Sequence, residues 1–569
     1  MKYIYILLFN IGLLFGGCSD VLDKYPLDKP SQDNFFNNVS EISRGVNSCY
    51  RFLLEIADAG KPYPITLDLM SDIGFCRQDE DPKTIGKGEH DDKIYTVISV
   101  WADAYRGIAR CNTMLEIIKE KATLLSDDQI KQFRGEVLFL RAFYYTRLVV
   151  FYGDVPLVLE PMLISEASNL TRTPKSEVIS QIMADYTEAA GLLNVSYSNA
   201  ADIGRATSGT VNAFKARAAL YFGQYDVAAT AAKAVMDSRV YELYPRYGDL
   251  FATKGLLDRN NKEIIFKKEY STLINQVHSF PLHAATRCAN GWATVVPTQN
   301  LVDSYDCIDG KNIEESTLFN KSKPFENRDP RLKLSIVVPG DRFGDYRFES
   351  HVDSTECFNY VTGLWEMNRD CYTYTPYTSY TGYNIRKFAG EDYITKNTKA
   401  DYPLILCRYA EVLLTYAEAK IELNQIDQSV VDAINEIRNK RDDVKMPAYS
   451  LSDFLDQNQA RLKIRHERKI ELAFEGFRYT DLRRWHWAEI YANKPVMGRP
   501  FKGATTDWPD VSFDANGEPT YDYENYEPHP SSDYRIVEYR TFIKGKHELW
   551  PIPERERNLN PNLIQNPGY

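Results

Sequence analysis

The densest group of ionisable residues lies between Arg461 and Trp485, where the sequence reads RLKIRHERKIELAFEGFRYTDLRRW. Four carboxylates stand there among eight arginines and lysines: Glu467, Glu471, Glu475 and Asp481. Two carboxylates facing each other could act as the general acid and base that hydrolyse a glycosidic bond. Spacings of three and four residues to neighbouring cations instead predict ion pairs between successive turns of one helix, which Gly476 ends. We therefore interpret this segment as structural.

The sequence lacks the motifs that usually carry catalysis. It has no HExxH, GxSxG, P-loop or Rossmann glycine pattern, and its eight histidines are scattered singly. Spacing does not exclude two carboxylates that meet across a cleft, but nothing in the chain indicates them. One stretch is crowded with acidic residues, namely Asp79, Glu80, Asp81, Glu89, Asp91 and Asp92. Because the ligand order of an EF-hand is missing, a solvated acidic loop is favoured over calcium, and we predict no catalytic residue, cofactor or metal.

Aromatic residues are the unusual feature of the composition, since they make up 13% of the chain and include 39 tyrosines. Tyrosine combines a flat apolar face with a hydroxyl group, so this surplus suits surfaces that hold amphiphilic ligands, whose sites need exposed rings surrounded by planar donors or carboxylates. Three stretches outside the predicted helical core offer such groups. The candidate ligand-binding residues are Asp72 and Arg77; Asn290 and Trp292; and Tyr360, Trp365, Tyr372, Tyr374 and Tyr377. Trp292 is the principal candidate, and the alternative for each ring is a buried position or the face of a strand.

Length and charge narrow the class of protein. The 569 residues, 44% hydrophobic and 26% charged, provide for a large core and for more than one domain. The formal net charge of -11 argues against a nucleic-acid partner, because backbone phosphates require a basic surface.

Helices are predicted for much of the rest of the chain. The stretch from Lys131 to Val158 carries apolar residues on both faces, which predicts a buried central helix ended by Gly153 and Pro156. Further helices are predicted at 40–56, 100–121 and 174–193. Two helical hairpins, at 210–238 and 402–442, follow the small-residue and aromatic pattern of tetratricopeptide repeats.

Such hairpins bury their apolar faces by stacking, and together with the central helix and its partner they imply about four units. Residues 67–92 lack periodicity and are interpreted as a long surface loop, and 290–400 as irregular loops with a few strands. The predicted fold is therefore mainly α, with tetratricopeptide-like helical repeats and a second, irregular and loop-rich region that contains a few short strands.

The N-terminus has the form of a lipoprotein signal. Lys2 precedes an apolar run too short to span a bilayer, and Gly16-Gly17 lead into Cys18. We predict a signal peptide at residues 1–17 and lipidation of Cys18, with a cleaved secretory signal and a coincidental cysteine as the alternative. The other eight cysteines form no CxxC pair, and we expect mostly buried thiols. In an exported protein some could pair, and Cys357 and Cys371 are the nearest candidates in sequence.

Several short segments occur in the order found in one protein family. They include RGEVLFLRAFYYTRLVVFYGDVPLV, PTQNLVDSYDCIDGKNI, NRDPRLKLSIV, DYPLILCRYAEVLLTYAEAKIELN and LNPNLIQNPGY. Through them the chain resembles the SusD/RagB-like outer-membrane lipoproteins along essentially its whole mature length. The resemblance implies an N-terminal helical region at 18–275 and a C-terminal region at 276–569, the latter with the loop-rich ligand-binding part and a further helical unit at 402–485.

The resemblance also implies a lipid-anchored, surface-exposed protein of the outer membrane, which binds an oligosaccharide or polysaccharide and delivers it to a SusC-like, TonB-dependent barrel. Starch-binding members supply an arginine from a loop similar to the one with Arg77, and an aromatic platform in a setting similar to that of Trp292. They add a tryptophan where this chain has only Tyr95, because Trp101 is expected in the core, so the glycan class stays open. The alternatives are an oligopeptide cargo and, more distantly, a lipid-anchored glycosidase.

Overall fold

Helices dominate the computed structural model of the protein, which describes residues 35–53, 56–57, 61–197, 202–371, 377–499, 508–523 and 535–569. The longer helices are α1 Val39–Cys49, α2 Tyr95–Glu120, α3 Asp127–Tyr152, α4 Lys175–Leu192, α5 Ser208–Tyr221, α6 Tyr225–Asp237, α7 Tyr409–Glu422, α8 Gln428–Asn439 and α9 Gln457–Glu471. Shorter helices are Tyr63–Leu69, Asp81–Lys87, Ile164–Ala167, Tyr247–Leu250, Thr253–Leu256, Phe280–Ala284, Gln299–Ser304, Arg331–Ser335, Arg478–Arg484, Ala488–Tyr491 and Glu554–Leu559. The mainly helical fold class is confirmed.

Helix α3 is the predicted central helix. It starts slightly earlier than predicted, at a reciprocal cap in which Ser126 Oγ accepts the Gln129 N–H at 3.3 Å and Gln129 Oε1 accepts the Ser126 N–H at 3.0 Å. It ends at Gly153, whose φ is 75°. Both faces are buried, as predicted, and Arg141 on α3 is neutralised by Asp185 of α4 at 2.7 Å.

The helices pack largely in chain order: α2 on α3, α3 on α4, α4 on α5 and α5 on α6. Helix α7, although remote in sequence, packs on α6 and leads to α8 and α9. Only a few residues connect α5 to α6 and α7 to α8, and such short connections make neighbouring helices antiparallel, as in tetratricopeptide-like pairs. One apolar core runs through the stack, with members such as Phe139, Leu148, Ala232, Leu413 and Ile434.

The loop-rich region is organised by short antiparallel strands around a second apolar core. Gly74–Cys76 pairs with Val295–Pro297, Ile264–Lys268 with Leu404–Arg408, Ile336–Val337 with Asn384–Ile385, Val496–Gly498 with Arg535–Glu538, Ser512–Phe513 with Pro519–Thr520, and Ile56–Ala57 with Lys61–Pro62. A four-stranded sheet contains Arg342–Phe343, Tyr346–Arg347, Glu356–Asn359 and Leu364–Met367. The few short strands predicted within 290–400 are present.

The prediction of a long surface loop at 67–92 is wrong. This stretch holds the end of helix Tyr63–Leu69, the strand Gly74–Cys76 and the helix Asp81–Lys87. Ile73 is 0% exposed and Phe75 is 1% exposed. Short elements of different type leave no common period for a sequence pattern to show, so the polar composition alone suggested a loop.

The predicted signal peptide and Cys18 lie outside the described residues. Within the described part of the chain, no helix combines the length and the apolar character needed to cross a membrane. The eight remaining cysteines are buried free thiols. Cys371 does not pair with Cys357, because its Sγ donates to the Val352 carbonyl oxygen at 3.1 Å, while Cys357 Sγ lies 3.5 Å from Cys288 Sγ.

Buried ion pairs tie the helical stack to the loop-rich region around α9. Glu471, which is 0% exposed, contacts the guanidinium groups of Arg331, Arg408 and Arg441 at 2.8 to 3.0 Å. We call the α9 network the buried pairs formed by six carboxylates with nearby arginines and lysines: Glu418, Glu467, Glu471, Glu475, Asp481 and Glu518.

The predicted ion pairs between successive helical turns are wrong for the three glutamates of this segment. Glu467 pairs with Arg331 and Arg438, and Glu475 pairs with Arg408 and Lys387, all of which are distant in sequence. Helix α9 also ends at Glu471, before Gly476. The sequence pattern could not show these partners because they come from other elements of the fold.

Candidate functional site

Two of the predicted stretches lie side by side because strand Gly74–Cys76 pairs with strand Val295–Pro297. Cys76 is opposite Val295 in the antiparallel register. Arg77, the next residue, donates its backbone N–H to the Thr294 carbonyl oxygen at 2.8 Å. The strand pair thus brings Arg77 next to Trp292, although 215 positions separate the two residues in sequence.

Trp292 is fixed at its base and exposed at its ring. The residue is 41% exposed, its N–H donates to the Leu282 carbonyl oxygen at 2.6 Å, and its ring meets His283 edge to face, 5.4 Å between centroids. The preceding Gly291 leaves no space for a side chain, because a Cβ there would lie 2.1 Å from the Ala285 carbonyl oxygen. The close packing of this turn therefore holds the indole at the surface.

Arg77 links Trp292 to two tyrosines. Its Nη2 donates to the Trp292 carbonyl oxygen at 3.0 Å, and its guanidinium carbon lies 5.6 Å from the ring centre of Tyr377 and 5.8 Å from that of Tyr380. Burial lowers the pKa of Arg77, and the positive charge of Arg287 acts in the same direction. Nε has no hydrogen-bond partner among the described residues, so Arg77 has bonding capacity that the surrounding chain does not use.

Sequence reasoning missed Tyr380 and Arg287, which belong to the same surface. Tyr380 stacks on the buried Phe75, 6.3 Å between centroids, and Arg287 Nη1 donates to the Gly291 carbonyl oxygen at 3.1 Å. Tyr380 had a signal, since it belongs to the tyrosine-rich stretch from which Tyr377 was chosen. Arg287 had none, because its contact depends on how the chain turns at Gly291. We call the Trp292 surface the group of Arg77, Arg287, Trp292, Tyr377 and Tyr380.

Asp72 and Asn290 lie near this surface in different circumstances. Both carboxylate oxygens of Asp72 accept hydrogen bonds from Arg478, at 2.8 and 2.7 Å. Asp72 is therefore bonded within the protein and is not part of the Trp292 surface. Asn290 is exposed beside Trp292, with a left-handed φ of 60°, and its carbonyl oxygen accepts from Asn397 Nδ2 at 3.0 Å. Its side chain remains a candidate ligand contact.

Tyr360 and Trp365 lie on a separate hairpin, formed by strands Glu356–Asn359 and Leu364–Met367. Tyr360 is 40% exposed and Trp365 is 56% exposed, and both rings meet Phe358 edge to face. Among the described residues, none of the contacts made by these two rings is to the Trp292 surface. Tyr372 and Tyr374 lie outside the described residues, while Tyr377, 60% exposed, joins Arg77.

The acidic stretch does not form a metal centre in the described part of the chain, where no group of three or more histidine, cysteine or carboxylate side chains could hold an ion. Its carboxylates bond to different neighbours: Asp79 to Lys83 at 2.7 Å, Asp81 to the Thr96 N–H at 2.6 Å, and Asp92 to Arg557 at 3.1 Å. Trp101, as expected, is buried, and Tyr95 is 62% exposed in another groove, beside Leu559.

The groups of the Trp292 surface are suited to binding a ligand. An indole and a phenol ring offer flat apolar faces, and the half-buried guanidinium groups of Arg77 and Arg287 lie beside them. Such groups fit a ligand that combines C–H faces with hydroxyl or carbonyl acceptors. The carboxylates of the α9 network are each held by cations in the interior, which suits a structural role.

Two family models match the chain. One, described as the SusD family, matches residues 262–569, and the other, described as starch-binding and associating with the outer membrane, matches residues 57–220. A curated relative, SusD-like protein P2 from Formosa agariphila, is 26% identical over 581 residues, which cover 97% of this chain and 97% of the relative.

Solved structures show the same fold. A SusD-like carbohydrate-binding protein from Bacteroides fragilis superposes with a TM-score of 0.79 at 28% identity, covering 93% of this chain and 100% of that one. Another SusD-like protein from the same species superposes with a TM-score of 0.73 at 25% identity, covering 96% of this chain and 100% of the other.

Proposed function

The chain belongs to the SusD family, and from this premise we propose that it is a glycan-binding lipoprotein of the outer-membrane surface. It captures an oligosaccharide or polysaccharide on the Trp292 surface and delivers it to a SusC-like, TonB-dependent barrel. It breaks no bond in the cargo. Cys18 carries the lipid that anchors it.

One observation carries the proposal: Trp292 and Tyr377 are exposed beside the half-buried Arg77, whose Nη2 donates to the Trp292 carbonyl oxygen. Exposed aromatic rings grouped beside a polar donor are typical of a ligand-binding surface. A sugar ring stacks on the indole through its C–H face, while its hydroxyl groups accept hydrogen bonds from the guanidinium. This pairing of platform and donor is the feature that a glycan requires.

The relatives support the same class of ligand. The solved structure at 28% identity is described as a carbohydrate-binding protein, and the family model for residues 57–220 is described as starch-binding. Tyr95 and the buried Trp101 do not extend the Trp292 surface into a longer aromatic arc. We therefore assign a glycan without specifying starch.

Calorimetric titration of the soluble chain from Ser19 onward, against plant, microbial and host glycans, tests the ligand class. Heat that saturates with one glycan class, and that is lost in Trp292→Ala, supports the proposal. Leu455→Ala is the matched control, because it truncates an exposed side chain of the helical part that is 80% exposed. Saturable heat with oligopeptides, and none with glycans, would replace the ligand with a peptide.

Anchoring and delivery need separate measurements. The intact mass of the mature N-terminus in membranes should equal that of a chain beginning at a lipidated Cys18, and Cys18→Ser should release the protein from the membrane fraction. Purification of the native protein from outer membranes should recover a barrel with a plug domain in constant ratio. Recovery of the protein alone after mild solubilisation would count against the barrel partner.

A further inference from the structure

A cavity of about 890 Å³ opens in the loop-rich region, and no residue of the Trp292 surface lines it. Trp365 stands at its rim and is 56% exposed, while Phe325 and Trp508 also line it, their rings edge to face at 5.5 Å. Arg499 lines the same cavity and is 5% exposed. The cavity therefore combines aromatic surface with a buried guanidinium group.

Arg499 is incompletely bonded by the protein. Its Nη1 donates to Ser350 Oγ at 3.1 Å, and its Nε has no hydrogen-bond partner among the described residues. Glu349, a carboxylate whose charge acts on Arg499, is itself paired with Arg347 at 2.9 Å. Arg328 is equally buried, at 5% exposed, but donates to the carbonyl oxygens of Pro324, Val302 and Tyr305. The contrast shows that burial of an arginine in this region does not by itself leave it without partners.

Other charges on the cavity wall are paired or exposed. Lys333 pairs with Asp341 at 3.6 Å, and Asp353, whose side chain is 86% exposed, lies 3.7 Å from His351. Lys323 pairs with Glu326 at 3.2 Å, and Arg347 pairs with Glu349 at 2.9 Å. Glu356 also lines the cavity, but it is exposed to solvent. A buried cation is costly, and burial lowers the pKa of Arg499, although Tyr383 and Glu349 act in the opposite direction. An anion that enters the cavity would remove this cost.

We propose that this cavity is a second glycan subsite, in which Arg499 binds the anionic group of an acidic sugar. The carboxylate of a uronic acid and a sulfate ester share the required chemistry, since each presents oxygens to a guanidinium in a paired geometry. Trp365 supports the sugar ring at the rim. The inference rests on the proposed glycan-binding function and adds a charge preference to it.

Calorimetric titration of the whole chain in detergent tests the preference with three probes: an oligogalacturonide, a sulfated galactan oligosaccharide and a neutral galactan oligosaccharide of similar length. We expect at least one acidic probe to bind about tenfold or more tightly than the neutral one. Comparison of the two acidic probes shows whether the cavity prefers a carboxylate or a sulfate ester. We expect Arg499→Gln to abolish this preference.

The double variant Lys323→Gln/Glu326→Gln is the matched control, because it neutralises a pair on the same wall without changing the net charge. It should retain the preference. Arg499→Gln leaves no carboxylate without its counter-ion, so its melting temperature should equal or exceed that of the wild type. If that variant fails to fold, Trp365→Ala and the salt dependence of the wild type decide, since an ionic contact weakens with added salt.

The outcomes separate the two proposals. Equal binding of acidic and neutral probes, or a preference that survives both Arg499→Gln and Trp365→Ala, would overturn the acidic subsite while leaving glycan binding intact. A preference that does not respond to salt would also overturn it. Absence of binding to every oligosaccharide would remove the proposed function and the subsite together.

Discussion

The α9 network and the Trp292 surface use charge in opposite ways. In the network, Glu471 is surrounded by Arg331, Arg408 and Arg441, and every partner is buried. On the Trp292 surface, Arg77 lies against tyrosine rings with part of its hydrogen-bonding capacity unused. The network holds the helical stack to the loop-rich region, whereas we propose that the charge of the Trp292 surface serves a ligand. Ionisable residues dense in sequence are therefore structural here, and the sparse ones are the candidates for binding.

Removal of one carboxylate from the α9 network should give the largest change in the free energy of unfolding. Glu471→Gln leaves three buried guanidinium groups without their shared partner, so we expect a loss of about 3–5 kcal/mol in the free energy of unfolding. Denaturant unfolding measures it. Glu436→Gln is the matched control, because Glu436 pairs with Lys440 at the surface, at 2.9 Å, and should cost less than about 0.5 kcal/mol. Equal losses in the two variants would contradict the assigned role of the network.

Lowering the pH should reduce the stabilisation by the α9 network before it changes ligand affinity at the Trp292 surface. Burial raises the pKa of Glu418 and Glu518, but adjacent arginines, with Lys469 beside Glu518, outweigh burial and bring both values to about 2. The folded-state pKa lies below the unfolded value, so the unfolded chain binds more protons as pH falls. The stabilisation is complete above about pH 4.5 and is lost toward pH 2, on the order of 3 kcal/mol by pH 3.

Urea unfolding between pH 6 and 3 follows this loss, and ligand affinity measured between pH 8 and 5 provides the contrast. The five residues of the Trp292 surface include no carboxylate or histidine, and His283, which contacts the Trp292 ring, is 1% exposed. Affinity should therefore stay nearly constant over that range. Affinity that changes strongly between pH 8 and 5 would place a titrating group in the site. Stability that does not fall toward pH 3 would remove the network as the acid-sensitive part.

Truncation of the aromatic platform should weaken binding without unfolding the chain. Trp292→Ala removes the stacking face, and we expect an affinity loss of about 2 kcal/mol, or roughly thirtyfold. The exposed ring contributes little to the core, so the free energy of unfolding should change by less than about 1 kcal/mol. Titration and denaturant unfolding of the same preparation give both values.

Substitution of Arg77, the hydrogen-bond donor, should have the smallest effect on ligand affinity. Arg77→Lys keeps the positive charge but loses the planar fork of donors, so affinity should fall by about 1 kcal/mol, roughly fivefold. Arg287→Lys changes the neighbouring guanidinium, which contacts the Gly291 carbonyl oxygen, and serves as the comparison. An unchanged affinity in Arg77→Lys would assign Arg77 to the support of Trp292 and not to the ligand.

Local patterns in the sequence predicted local structure. The two apolar faces of the segment from Lys131 to Val158, closed by Gly153, indicated a buried helix, and α3 is that helix. The loop predicted at 67–92 is wrong, because the short helices and the strand found there share no period that a sequence pattern could show. The partners of Glu471 could not be predicted, since they come from three separate elements.

The candidate site was predictable only as separate pieces. Trp292 and Arg77 were chosen for residue type and for their resemblance to family segments, and the pairing of Cys76 with Val295 brings them together. That pairing leaves no trace in either segment alone. Arg287 entered the surface through a backbone contact that residue types do not encode. Whether the selected side chains bind ligand stays a prediction.

The most direct measurement is the affinity of Trp292→Ala for the glycan that binds the wild-type chain, compared with that of Leu455→Ala. The account predicts that Trp292→Ala loses about thirtyfold in affinity with an unchanged melting temperature, while Leu455→Ala binds as the wild type does. Equal affinity in all three proteins would show that glycan recognition lies elsewhere on the molecule.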